Sequence, residues 1–153
     1  MNVRPATIED VPAMRGLAEA APEAAQWSAA EWERLHDPES AQRLALVAEH
    51  EGDVIGFVVL RTLAGDWELE NIAVALAARR RGAGKRLIAA ALALARESRA
   101  RSVFLEVRES NAAARALYES AGFRPAGRRP GYYAAPREDA IVYKLLTRAS
   151  ADR

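Results

Sequence analysis

The 153-residue chain contains no cysteine, which excludes disulfides and thiolate metal ligands. Its two histidines, His36 and His50, lie far apart and neither has a partner at metal-ligand spacing. No apolar run approaches the ~18–20 residues of a membrane span, and no signal-peptide pattern opens the chain. Repeats and flexible linkers are missing as well. These absences lead us to expect a cytoplasmic, metal-free protein with no membrane partner. What is present is ordinary globular composition, 50% hydrophobic and 28% charged, at a length that suits one domain with a real core. We expect that domain to cover residues 1–147, with a frayed tail at 148–153.

The net charge is only +1, but it is unevenly spread. Residues 1–74 carry 5 Lys+Arg against 14 Asp+Glu, a balance of −9, and residues 75–153 carry 17 against 7, a balance of +10. Such a chain has one half suited to anions and one suited to cations. Basic residues are not interleaved with aromatic ones, and no nucleic-acid reading motif is found, so no stable nucleic-acid partner is expected.

Val3–Ala6 reads as a short first strand. Asp10 is placed to cap a helix that has Pro12 in its first turn and Val11, Met14, Leu17 and Ala18 on one face. Ser28 and Glu31 form a capping box for a second helix, with Trp27 and Trp32 in the staple positions. Arg43–Glu49, Val54–Leu63 and Trp67–Val74 then read as a three-stranded antiparallel meander. An alanine-rich helix runs to about Ser98 and leads to the apolar strand Val103–Val107, interrupted only by Glu106. Asn111 caps a helix to Ser120, Gly122 stands just past its end, and two last strands, Phe123–Gly127 and Ala140–Leu146, are joined by a loop over Arg128–Asp139. The order is β-α-α-β-β-β-α-β-α-β-β, an α/β (mixed α+β) domain.

Between the meander and the alanine-rich helix lies Arg79-Arg80-Arg81-Gly82-Ala83-Gly84-Lys85. A strand that turns through glycines into a helix N-terminus presents unpaired N–H groups and a positive dipole end to an anion. The spacing excludes a Walker loop, which needs Gly where Arg79 stands and Ser or Thr where Arg86 stands. It also excludes a dinucleotide fingerprint, because position 87 is Leu.

What remains, R-x-x-G-x-G, resembles the acyl-CoA loop of the GNAT N-acetyltransferases, and the element order matches that family's plan along nearly the whole chain. Within the superfamily the chain is similar to the RimI family of bacterial ribosomal-protein-alanine N-acetyltransferases. Four stretches carry the resemblance: Trp27-Ser28; Asn71–Val74 with the arginine-glycine loop; Leu105–Arg108 through Ser110–Ala114 to Leu117-Tyr118-Glu119; and Tyr132-Tyr133 with Glu138–Ala140. It departs from the family at Leu76, where a proline is usual.

The resemblance implies a mostly antiparallel central sheet flanked by helices, and acetyl-CoA as co-substrate. It implies that Arg80, Arg81, Gly82, Ala83, Gly84 and Lys85 hold the pyrophosphate, while Ile72, Ala73 and Val74 pair with the pantetheine arm. Asn111 would touch pantetheine while capping its helix. Tyr118 falls at the family's general-acid position and Glu106 at its base. Read from the residues alone, the alternative for Tyr118 is a core tyrosine with its hydroxyl bonded to backbone. Glu106 could be ion-paired to Arg108 or Arg115, leaving Glu68 or Glu70 as rival bases or as receivers of a substrate cation.

The acceptor implied is the α-amine of a protein N-terminus, that of a ribosomal protein with N-terminal alanine. An α-amine with pKa near ~8 costs only ~1.4 kcal/mol to neutralise at pH 7, whereas a lysine near ~10.4 costs roughly 4.6 kcal/mol. A small-molecule amine or a lysine is the alternative acceptor. A non-catalytic CoA- or nucleic-acid-binding module is the alternative from another class.

Overall fold

The computed structural model describes residues 1–40 and 42–147, without the side chains of Ser40 and Arg80. In chain order it contains β1 (Asn2–Pro5), α1 (Val11–Glu19), α2 (Ala29–Arg34), β2 (Arg43–His50), β3 (Asp53–Arg61), β4 (Asp66–Val74), α3 (Ala83–Glu97), β5 (Ser102–Arg108), α4 (Ala112–Ser120), β6 (Arg124–Ala134) and β7 (Arg137–Leu146). The strands form one seven-stranded sheet in the order β1-β2-β3-β4-β5-β7-β6. Every neighbouring pair is antiparallel except β4 and β5. The expected element order and sheet type therefore hold. The expected tail at 148–153 lies outside the described residues.

The centre of the sheet is buried on both faces. β3 shows why: Phe57 and Val59 enter one apolar cluster with Met14, Ala18 and Trp32 of α1 and α2, while Val58 and Leu60 enter a second with Leu87, Ile88 and Ala91 of α3. Side chains alternate along a strand, so a strand apolar at every position can only sit between two layers. The capping box of α2 forms as read, with the Glu31 N–H donating to Ser28 Oγ at 3.3 Å and the Ser28 N–H to Glu31 Oε1 at 3.0 Å. The staple rings, Trp27 and Trp32, lie 4.8 Å apart.

Three local expectations are corrected. Asp10 holds the N-cap position of α1, as expected, but its side chain makes no cap bond to that helix. Thr7 is the cap of a 3-10 turn over Ile8–Asp10, and Asp10 sits at its third position, accepting the Thr7 N–H at 2.8 Å and pairing with Arg4. The Arg79–Lys85 run does not pass straight from strand to helix, because Leu76–Arg81 forms a 3-10 segment first. Arg128–Asp139 is no loop: β6 and β7 extend through it as a hairpin that turns at Ala135-Pro136. Glycine and two prolines hid that strand pattern, and the Asp139 and Glu138 carboxylates, accepting the Gly131 and Ser110 N–H groups, hold it in place.

Candidate active site

β4 and β5 run parallel but pair at only three positions, Asp66 with Ser102, Trp67 with Val103 and Glu68 with Phe104. Ser102 Oγ donates to Asp66 Oδ1 at 2.7 Å and fastens the closed end. Beyond Glu68 the strands part. A bulge in β4 lies where they separate: Leu60 faces Leu69 but Val59 faces Asn71, leaving Glu70 as the extra residue. A bulge reverses which face the following side chains take. Accordingly Leu69 joins the α3 cluster, whereas Ala73, four residues later, joins the α1–α2 cluster. Ile72 and Val74 in turn pack on the α3 side.

The gap opens into a cavity of about 400 Å³ lined by Glu68, Glu70, Ile72, Glu106, Asn111 and Tyr118, among others. The structure thus brings Glu106, Tyr118, Asn111 and Ile72 together. It leaves Ala73 and Val74, the last residues of β4, and the glycine loop that follows them outside the cavity wall. Asn111 caps α4, its Oδ1 accepting the Ala114 N–H at 3.2 Å. Tyr118 is buried and stacks edge-on with Phe123. Among the described residues its hydroxyl has no hydrogen-bond partner, so the backbone-satisfied alternative does not hold. Burial, then the neighbouring Tyr133, pushes this phenol well above its ordinary range, so it keeps its proton.

Glu106 is largely buried, and its partner is neither Arg108 nor Arg115. Arg129 of β6 forms the ion pair. Arg108 instead pairs with Glu138 at 3.2 Å and stacks 4.2 Å above the Tyr133 ring, and Arg115 donates to Tyr143 Oη at 2.9 Å. The two rivals for the base separate clearly. Glu70 is tied to Arg43 by bonds of 2.7 and 3.1 Å. Glu68 makes no ion pair among the described residues, and its carboxyl is raised by burial first, then by the charges of Glu70 and Glu106.

At the far end of β4 the first helical bond of α3 runs from the Arg86 N–H to the Gly82 carbonyl, 3.1 Å, so the N–H groups of Ala83, Gly84 and Lys85 precede the ladder. Gly82 has φ +77°, a left-handed conformation that glycine adopts without strain. A Cβ on Gly84 would come within 3.2 Å of Leu117 Cδ2 and 4.0 Å of Val74 Cγ2, so the bare backbone lets the loop close on α4 and the strand end. Arg81 and Lys85 are exposed beside it. This cradle fits a phosphate-bearing group. Arg79 does not contribute to it, because it donates to Glu23 at 2.7 Å and to the Val74 carbonyl at 3.2 Å. The Arg80 side chain lies outside the described residues. Among the described residues no group of three or more His, Asp or Glu side chains could hold a metal ion, and no helix is long and apolar enough to cross a membrane.

The other rim is made of parts to which sequence assigned no role. Tyr132 and Tyr133, rings 5.1 Å apart, line the cavity from the hairpin. Burial, Tyr132 and Glu106 push the Tyr133 phenol up to about 12. Opposite them Pro22–Gln26 is anchored at several points. Gln26 Nε2 donates to three carbonyls, those of Ala18, Ala21 and Ala24, and Asn71 Nδ2 donates to the Ala25 carbonyl at 3.2 Å. Paired tyrosines in a chain with only 7% aromatics were the available signal; Asn71 stood in a stretch that carries the family resemblance, without this role, and Gln26 gave no signal.

Comparison with known proteins agrees with this geometry. Residues 9–123 match the acetyltransferase (GNAT) family profile. The [ribosomal protein bS18]-alanine N-acetyltransferase of Haemophilus ducreyi is 32% identical over 114 residues, 72% of this chain and 79% of the relative. The Escherichia coli K12 protein of the same name is 38% identical over 96 residues, 61% of this chain and 65% of the relative. A Bacillus subtilis (strain 168) relative is 36% identical over 97 residues, 64% of its length. In three dimensions the chain matches the crystal structure of the ribosomal-protein-S18-alanine N-acetyltransferase from Escherichia coli with TM-score 0.85 and 29% identity, covering 97% of this chain and 95% of that one. Ard1 from Thermoplasma volcanium superposes with TM-score 0.86 at 26% identity, over 97% and 98% of the two chains.

Proposed function

This chain belongs to the acetyltransferase (GNAT) family, and within it we propose that the protein transfers the acetyl group of acetyl-CoA to the α-amine at a protein N-terminus, a ribosomal protein beginning with alanine being the favoured acceptor. The observation that carries this reading is the cavity of about 400 Å³ between the parted strands, whose lining includes both Glu106 and Tyr118. The acceptor class is taken from the relatives named for the alanine of ribosomal protein bS18. An acceptor of that kind places the reaction in the cytoplasm.

Acetyl-CoA supplies an activated acetyl thioester. The chain's own part is to hold and to move protons. The N–H groups of Ala83, Gly84 and Lys85, with the charges of Arg81 and Lys85, hold the pyrophosphate; Arg80 joins them on the sequence motif alone. Ile72, Ala73 and Val74 offer β4 backbone that β5 no longer pairs, and Asn111 offers its amide. A backbone N–H in that stretch facing the acyl oxygen is typically worth ~3 kcal/mol in such a transfer. Glu106 takes the proton of the incoming ammonium, directly or through water, and Tyr118 gives its proton to the departing sulfur. The burial that retains the Tyr118 proton also disfavours a bare thiolate, so donor and acceptor of that proton stay matched.

The test is to incubate the protein and acetyl-CoA with peptides beginning in alanine, the same peptides with blocked N-termini but free lysines, and small amines. Mass spectrometry locates the acetyl group. Acetylation of the free α-amine alone is expected. Modification only of lysines or small amines would replace the acceptor assignment.

A further inference from the structure

Arg128 and Arg129 are sequence neighbours on β6 with opposite surroundings. Arg128 is pinned, donating to both Glu109 carboxylate oxygens at 2.9 and 2.7 Å and to Asp139 at 2.8 Å. Among the described residues the Arg129 guanidinium has one ion-pair partner, Glu106, whose Oε2 lies against Nε. Its other described contact is the Tyr132 ring, 5.7 Å from the guanidinium carbon. The Arg129 side chain is 60% exposed, whereas that of Glu106 is 13% exposed. One partner can swing into solvent and the other cannot.

The backbone under Arg129 is held in place. Arg129 pairs with Ala140 and pairing resumes at Tyr133 with Glu138, so residues 130–132 bulge out opposite Asp139. Pro130 has no N–H to give the ladder, and Asp139 Oδ1 fixes the bulge by accepting the Gly131 N–H at 2.8 Å. Freedom is thus confined to the Arg129 side chain.

A largely buried carboxylate left without a cation is costly. In the ligand-free protein Arg129 supplies that cation, and it does so on the carboxylate an acceptor amine has to reach. Exchanging a guanidinium for an ammonium keeps Glu106 paired throughout, whereas a neutral group that pushed Arg129 aside would strand the charge. We propose that Arg129 is a specificity-determining plug: it occupies the acceptor's place on Glu106 and yields to an acceptor that arrives as an ammonium. The inference rests on the reading of Glu106 as the residue that meets the acceptor.

Two measurements test it, and they fail separately from that reading. In the first, protein saturated with CoA and labelled with ¹⁵N-arginine is titrated with alaninamide or with N-acetylalaninamide. The Arg129 Nε–H signal is assigned by its loss in Arg129→Lys. It should move toward that of a solvated arginine with alaninamide and stay put with the acetylated compound. No movement with either, or equal movement with both, overturns the plug. In the second, acetylation kinetics use a peptide beginning in alanine. Arg129→Gln should lower KM about 2–5-fold, the scale of a partly exposed ion pair, and Arg129→Lys should remain near wild type. A raised KM would mean that Arg129 grips the acceptor. An unchanged KM with a lower Tm would make it structural. Either result overturns the proposal. If wild-type protein does not acetylate the peptide, the proposed function fails and the titration still decides the plug.

Discussion

Glu68 and Glu106 stand on opposite lips of the gap between β4 and β5, and of the two only Glu106 has an ion-pair partner among the described residues. The Glu68 carboxyl is therefore raised, by burial first and then by Glu70 and Glu106. A carboxyl whose pKa is higher in the fold than in the unfolded chain favours folding while protonated. That contribution is full below the ordinary glutamate value of ~4.3 and is lost as pH rises through the raised one. Glu68→Gln should accordingly melt above wild type at pH ~7, with the difference closing below pH ~4. Thermal melts across pH check this; parallel curves would show that Glu68 is not strained.

Glu106→Gln keeps shape but loses basicity. With an alanine-terminated peptide, kcat should fall more than KM changes. Activity should recover toward pH ~8–9, where solution supplies the neutral α-amine. Profiles of kcat against pH for both proteins decide it, and a uniformly small deficit would move the base to Glu68 or to water.

Tyr118→Phe removes one hydroxyl that is unbonded among the described residues and leaves the ring contacts with Phe123 intact. Turnover should drop about 10²–10⁴-fold, the usual range for a general acid, with CoA affinity and Tm little changed. Near wild-type turnover, with chemistry shown to be rate-limiting, would leave Tyr118 a packing residue.

Gly84→Glu places a side chain where Leu117 already stands 3.2 Å from a Cβ and adds negative charge to the cradle. Acetyl-CoA should raise the Tm of wild type but not of the variant, while circular dichroism shows both folded. Dephosphorylated pantetheine should stabilise wild type far less than acetyl-CoA; equal stabilisation would remove the phosphate role.

Asp10 is a stability site. The hydrogen bonds from Arg4 hold its carboxyl at about 2, against 3.8 ordinarily. A depressed pKa stabilises the fold above the ordinary value, and that stabilisation is lost as pH falls from about 4 toward 2. The shift corresponds to about 2 kcal/mol at neutral pH. Asp10→Ala should lower Tm by roughly 4–8 °C at pH 7, and by much less near pH 2. A gap that does not change with pH would assign the loss to packing.

The sequence by itself determined the element order, both helix caps at Ser28 and Asn111, and the glycine cradle, because each depends on residues within one or two turns of one another. It also placed Glu106 correctly as a lone charge in an apolar strand. Tertiary structure decided what that charge meets. Arg129 lies 23 positions away and reaches Glu106 only because β6 and β7 form a hairpin, which Pro130, Gly131 and Pro136 disguised as a loop. The bulge at Glu70 was equally hidden. Strand alternation read from Trp67 to Val74 assigns Leu69 and Ala73 to one face, yet the register slip against β3 sends them to opposite faces and turns Ile72 toward the α3 side. A slip of one residue is set by the partner strand, and local propensity carries no record of it.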